Sequence, residues 1–207
     1  RKGGNPIIPD YSGPNVRGIV PALLGPAAWA DTMPDWMPDA VRAADAVVLF
    51  VLDGLGWDQL QAHPTLAPTL MSMQGRSIHT VAPTTTATAL SSITTGLTPG
   101  EHGLVGYRML LGGEVMNVLR WAVGTQQVRR SQPPSSVQPF QPFLGQQVPV
   151  VAQGELQESG FSEAHLRGSN PVGWRSPSSI AVEAAAQVRA GERFVYCYYG
   201  GIDKIAH

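Results

Sequence analysis

Cysteine is almost absent. Cys197 is the only one in 207 residues, and a single thiol excludes an internal disulfide. It lies in the apolar run Phe194-Val-Tyr-Cys-Tyr-Tyr199, where a small buried hydrophobe is the expected role and a nucleophile is not. Charge is scarce too. Asp, Glu, Lys and Arg make up 14% of the chain and the net charge is -1. That balance gives no electrostatic case for nucleic acid or an anionic membrane as partner. Long apolar runs are missing, and none approaches the roughly 20 residues of a membrane-spanning helix. Residues 18–30 loosely imitate a secretion signal ending in Ala28-Trp-Ala30, but Pro21, Gly25 and Pro26 break its apolar centre. Without a clear export signal the cytoplasm is slightly favoured over secretion or the periplasm. No internal repeat is visible.

Glycine (23) and proline (18) are plentiful, and 43% of residues are hydrophobic. Such a chain can bury one good core, or one core plus a small lobe. The glycines and prolines fall mostly between periodic segments, which points to long ordered loops. Residues 1–44 read as an irregular lead-in packed on the domain. Ala46–Leu52 is continuously apolar and rich in valine, as expected of a central strand buried on both faces. Trp57–Ala62 has helical spacing, Pro68 can open a second short helix running to Met73, and Arg76–Val81 reads as the next strand.

Thr86–Thr95 is punctuated as a helix: threonines precede it as caps, and Gly96 then Pro99 end it. Val105–Leu111 and Glu114–Trp121 read as a strand pair joined by Gly112-Gly113. Residues 122–147 are polar and rich in Pro and Gln, which suits a surface excursion or a lid over a cleft. Val148–Ala152 and Arg193–Tyr199 read as strands, Ser162–Leu166 and Ile180–Ala190 as helices, the latter capped from Ser176. Strands alternating with helices predict an α/β fold with a mostly parallel sheet and helices on both faces. The site of such a sheet lies at the carboxyl ends of its strands.

Asp53, Thr86 and Asp203 all fall just after predicted strands. Asp53 ends the first apolar run and is followed by Gly-Leu-Gly, which lets the backbone turn sharply. Its hard carboxylate suits Zn²⁺ or Mn²⁺; the rival role is capping the next helix. Thr86 opens a helix, where a hydroxyl can act as nucleophile and the free N–H groups favour a phosphate. The rival reading there is plain capping by Thr84 or Thr85. Asp203 and His207 stand four apart, so one face of a helical turn can present both to one ion. His102, in Pro99-Gly-Glu-His-Gly103, is expected to hold a turn. His63, His79 and His165 have no partner pattern and read as surface or satisfied core. Arg108 and Trp121 could line a cleft, but packing is the expected role of both.

These segments resemble the alkaline phosphatase superfamily, and within it the type I phosphodiesterase/nucleotide pyrophosphatase group. The resemblance rests on Val51-Leu-Asp53-Gly-Leu-Gly56, on Ala82-Pro-Thr-Thr-Thr86-Ala-Thr-Ala through Gly96-Leu-Thr-Pro-Gly-Glu-His-Gly103, and on Asp203-x-x-x-His207. It spans residues 46–207 in order and implies that residues 45–207 are the N-terminal portion of an alkaline-phosphatase-like catalytic domain. It implies two divalent metal ions, usually Zn²⁺, with Asp53 and Thr86 at one and Asp203 and His207 at the other. It also implies an Asp-His pair and a further His beyond residue 207, so the sequence reads as a piece of a longer protein. One departure is Ala89, where eukaryotic-type members place an Asn that binds a phosphoryl oxygen.

The function expected from this resemblance is metal-dependent hydrolysis of phosphodiester or pyrophosphate bonds through a phosphothreonine intermediate. The partner would be a small phosphate ester, a nucleotide among the options. A phosphomonoesterase or mutase of the same superfamily is the same-class alternative. A truncated domain that only binds phosphate or a partner is the other. A sulfatase is not expected, because Thr86 cannot give formylglycine.

Overall fold

The computed structural model describes residues 7–26, 33–154 and 159–206. His207, expected as a ligand, lies outside them. Helices α1 (Ile19–Leu24) and α2 (Asp39–Arg42) precede strand β1 (Val47–Leu52). Helices α3 (Trp57–Ala62), α4 (Pro68–Ser72), α5 (Thr86–Thr95) and α6 (Pro99–His102) follow. Next come β2 (Arg108–Leu111), β3 (Glu114–Asn117), β4 (Ala122–Val123), β5 (Gln126–Gln127) and α7 (Pro134–Val137). The chain then alternates through β6 (Pro149–Gln153), α8 (Gly160–Leu166), β7 (Asn170–Trp174), α9 (Pro177–Arg189), β8 (Phe194–Tyr199) and α10 (Gly201–Ala206).

Two sheets result. One has the order β1-β8-β6-β7 and is parallel throughout. The other is an antiparallel meander, β2-β3-β4-β5. The α/β architecture with a parallel sheet and flanking helices is the expected one. Period-2 alternation sorts β8: Phe194 and Tyr196 face one core cluster, while Val195 and Cys197 face the other. Burial pushes the Cys197 thiol up to about 11, so it stays protonated and acts as a small hydrophobe.

Three expectations need correction. Among the described residues β1 is an edge strand, not a central one buried on both faces. Val47, Leu49 and Val51 pack on the main core, whereas Val48 and Phe50 are 42% and 47% exposed. Residues 76–81 form no strand. Their ladder pairing among the described residues is a single bridge, His79 with Asn15, held by Val16 N–H to His79 O (2.9 Å) and His79 N–H to Pro14 O (2.8 Å). Strand β7 was not expected at all, because Pro171 and Gly173 weaken its strand pattern.

Residues 122–147 run largely exposed, as a surface excursion, and are anchored to the core at a few buried points. Phe143 is fully buried against Phe194 and Tyr196. Buried Gln138 donates to Ala164 O (2.7 Å) and accepts from Phe140 N–H (2.6 Å), tying the segment to α8. The lead-in also reaches the core through Val20 and Leu23 of α1.

Candidate active site

Helix α5 is made largely of Thr, Ser and Ala, yet eight of its ten residues are buried. Hydroxyls can enter a core only when satisfied. Here Ser91, Thr94 and Thr95 donate to carbonyls one turn back, at 2.7, 3.1 and 2.6 Å. Ser92 is met by His102 Nε2 at 2.9 Å. His102 Nδ1 accepts the Leu104 N–H (3.1 Å), so Nε2 carries the proton and donates to Ser92. Burial holds His102 down at about 4, neutral at ordinary pH. It therefore locks the turn after α5, the structural role expected of it.

Thr85, not Thr86, caps this helix. Its side chain accepts the Thr88 N–H (3.5 Å) and pairs with the Thr88 hydroxyl (2.9 Å). Thr86 is left half-buried as the first helical residue, and among the described residues no hydrogen bond engages its hydroxyl. Gly96 at φ 75° closes the other end, donating its N–H to Ser92 O at 3.0 Å.

Asp53 follows β1 and is held from three directions. Its N–H donates to Tyr199 O (3.0 Å), its carbonyl accepts the Asp203 N–H (3.1 Å), and its Oδ2 accepts the Tyr198 hydroxyl (2.7 Å). Burial, and then this carboxylate, push the Tyr198 hydroxyl well above its ordinary range, so it remains a donor. Gly54 has φ 84°, and a Cβ there would lie 2.6 Å from the Asp203 Cα. The glycine after Asp53 therefore serves two needs, a left-handed turn and the close approach of the chain carrying Asp203. At Gly200 a Cβ would sit 2.7 Å from the Tyr198 hydroxyl, so that glycine leaves the hydroxyl its place beside Asp53.

Asp53, Thr86 and Asp203 line one cavity of about 340 Å³. It runs past the carboxyl ends of β1, β8, β6 and β7, touching Tyr198, Tyr196, Ala152, Gln153 and Trp174. Helix α8 closes it with Phe161, Ser162, His165 and Leu166. His165 is satisfied core: Nδ1 bonds Phe161 O at 2.7 Å, the ring stacks on Phe161, and burial holds it at about 4. Arg108 and Trp121 do not line the cavity. Trp121 is fully buried against Gly160 and donates Nε1–H to Gln132 O (2.8 Å). No residue of 122–147 lines it either.

Sequence reasoning missed Tyr196 and Tyr198. Their signal was the aromatic residue at every second position, Phe194, Tyr196 and Tyr198, on the face that joins the main core cluster with Ala87, Leu90 and Ile93 of α5. The Tyr196 hydroxyl is, among the described residues, the buried side-chain oxygen or nitrogen that lacks a hydrogen-bond partner. Such an orphan costs about 1–3 kcal/mol.

The donors fit divalent metal chemistry in part. Two carboxylates and a hydroxyl at one cavity form a hard oxygen set that suits Zn²⁺ or Mn²⁺. Among the described residues no group of three His, Cys, Asp or Glu converges closely enough to hold an ion alone. No described helix is long and apolar enough to cross a membrane.

A parallel sheet flanked by helices, with acid and hydroxyl side chains gathered at its carboxyl edge, defines an alkaline-phosphatase-like α/β domain. Residues 47–179 match the family model of type I phosphodiesterase / nucleotide pyrophosphatase, and the chain belongs to that family. Membership supports hydrolysis of phosphoric esters as the general activity. Asp53 and Thr86 fall inside the matched region, and Asp203 lies beyond it. Comparison with curated proteins finds no match.

Proposed function

We propose that the chain carries the nucleophile half of a metal-dependent phosphodiesterase, with Thr86 attacking phosphorus. One observation carries this reading: Thr86, free of capping duty, lines the same cavity as Asp53 and Asp203. Asp53 and Thr86 would hold one divalent ion, and Asp203 with His207 the other. Bound there, such ions supply charge neutralisation on the ester and lower the pKa of a coordinated hydroxyl or water.

The chain's own residues do the rest. Thr86 Oγ1 attacks in line, the Oγ1–P bond forms, and the bond to the leaving oxygen breaks on the far side of phosphorus. The leaving group departs as its alcohol with the proton that Thr86 gives up, and the product is a threonyl phosphodiester at residue 86 that keeps the other organic group; water then cleaves its Oγ1–P bond, releasing the monoester and restoring the hydroxyl. The first-turn N–H groups of α5 that the Thr85 cap leaves open, those of Thr86 and Ala87, would meet developing negative charge. Tyr198 fixes the orientation of Asp53, and His102 with Ser92 keeps the far end of α5 rigid. With Ala89 one turn into α5, no side-chain amide is offered at that position, so the developing charge would be met by backbone N–H groups, Tyr196 and any bound ions.

The test is hydrolysis of bis-p-nitrophenyl phosphate and p-nitrophenyl phosphate with zinc and with a chelator. Chelator-sensitive turnover favouring the diester is expected. Turnover indifferent to the chelator would overturn the metal-dependent reading, and preference for the monoester would overturn the diesterase reading.

A further inference from the structure

The chain enters α5 through an exposed stretch. Val81 is fully buried, Ala82, Pro83 and Thr84 are exposed, and Thr85 then caps the helix. Pro83 has no N–H to donate. Among the described residues one hydrogen bond ties this stretch to a distant part of the chain: Ala82 N–H donates to the Tyr11 hydroxyl (3.1 Å), 71 residues away. Tyr11 is itself held. Its carbonyl accepts Arg17 Nε–H (2.7 Å), and Arg17 Nη1–H donates to Gly96 O (3.3 Å). Gly96 is the residue that closes α5. Just upstream of the stretch, buried Asn15 donates Nδ2–H to Thr80 O (3.0 Å), and its Oδ1 accepts the Arg17 N–H (3.0 Å). Asp10 N–H donates to His79 Nδ1 (2.9 Å). Residues 10–17 therefore hold the chain at both ends of α5, and neither hold comes from the parallel sheet that carries Asp53.

We propose that Tyr11 is a positioning residue for the nucleophile. Its hydroxyl, tied through Arg17 to the far end of α5, fixes the entering chain and so sets where the Thr86 hydroxyl stands relative to Asp53. The proposal rests on the Thr86 chemistry above. The bond lies at the surface, so water replaces it when the hydroxyl is removed and no buried group is orphaned. Its loss should leave the fold intact while freeing residues 82–84 to move. A displacement of about 1 Å at a reacting group can cost about a hundredfold in rate. Tyr11 does not line the cavity, so binding of the ester should not change.

The test compares Tyr11→Phe and Ser12→Ala with the parent chain on bis-p-nitrophenyl phosphate with zinc. Ser12 belongs to the same segment, but its hydroxyl and N–H both go to Asp10 Oδ1 and not to the entry of α5. Tyr11→Phe should lower kcat about tenfold with KM and the urea midpoint nearly unchanged. It should also speed amide hydrogen exchange across residues 82–87, read by mass spectrometry. Ser12→Ala should match the parent chain in every one of these readings. Unchanged kcat in Tyr11→Phe, or an equal fall in Ser12→Ala, would overturn the positioning role and leave the chemistry standing, provided that Thr86→Ala still abolishes turnover. Equal turnover by the parent chain and Thr86→Ala would sink the Thr86 reading instead. If the parent chain does not turn over, the catalytic reading fails for this chain and exchange alone decides. Faster exchange confined to residues 82–87 in Tyr11→Phe then keeps Tyr11 as the residue that fixes the entry of α5, and unchanged exchange removes it.

Discussion

The two sheets of this molecule treat their strand ends differently. In the parallel sheet every strand points the same way, so β1, β8, β6 and β7 all deliver their carboxyl ends to one edge. Asp53, Tyr198, Gln153 and Trp174 meet there around a single cavity. In the antiparallel meander, successive strands end on opposite sides. Its hairpins scatter their loops, and only Leu119 from that region reaches the cavity. It gives Met109 and Met116 to the core while Leu110 and Val115 stay 71% and 53% exposed. One sheet gathers chemistry because its topology gathers loops, and the other supports it by packing.

The sharpest way to break this contrast is at Thr86. Thr86→Ala should lower kcat/KM for bis-p-nitrophenyl phosphate by at least about a thousandfold while leaving the urea midpoint nearly unchanged, since Thr85 caps the helix. Gly54→Ala comes next. Its Cβ would collide with the Asp203 backbone at a φ of 84°. A loss of about a hundredfold in activity and about 1–3 kcal/mol of stability is expected, read by kinetics and urea unfolding on one preparation. Tyr198→Phe frees the Asp53 carboxylate to rotate. Zinc affinity, followed by competition with a chelating dye, should fall about tenfold, and unchanged affinity would remove Tyr198 from the orienting role.

The smallest effect belongs to the meander. Gly113, at φ 86° in the β2–β3 hairpin, should tolerate Gly113→Ala at a cost of about 1 kcal/mol, with kcat/KM unaltered. A comparable loss of activity there would erase the distinction between the sheets.

Stability should also fall in acid through His102 and His165. Both are held at about 4 in the fold by burial, below the usual value near 6.5. The unfolded chain therefore binds more protons between those values, and stability drops as pH falls from about 6.5 to about 4. Urea midpoints measured across that range should show the slope, and His102→Gln should reduce it.

Much of this was legible from the residues. Helix α5 carried its own boundaries, with threonine caps before it and Gly96 after it. The β2–β3 turn was written in Gly112-Gly113, and Asp53-Gly54 marked a strand end and a turn. What stayed hidden depends on tertiary contacts. Local pattern could not say that β1 would sit at an edge, since an apolar run looks alike in the centre and at the rim. Strand β7 was masked by Pro171 and Gly173, and it exists because β6 gives it a parallel partner. Within the site, Asp53, Thr86 and Asp203 could be named singly, but their shared cavity, the Tyr198 bond and the orphan Tyr196 hydroxyl depend on the tertiary arrangement that brings β8 and α5 to one core cluster and one cavity.

The central claim is that Thr86 forms a bond to phosphorus. It is tested most directly by acid-quenching the chain during turnover of bis-p-nitrophenyl phosphate with zinc and mapping peptides that carry a p-nitrophenyl phosphoryl group by mass spectrometry. A Thr86 carrying the p-nitrophenyl phosphoryl group, absent from Thr86→Ala, is the predicted result. Full turnover by Thr86→Ala, with no such adduct in either protein, would contradict it.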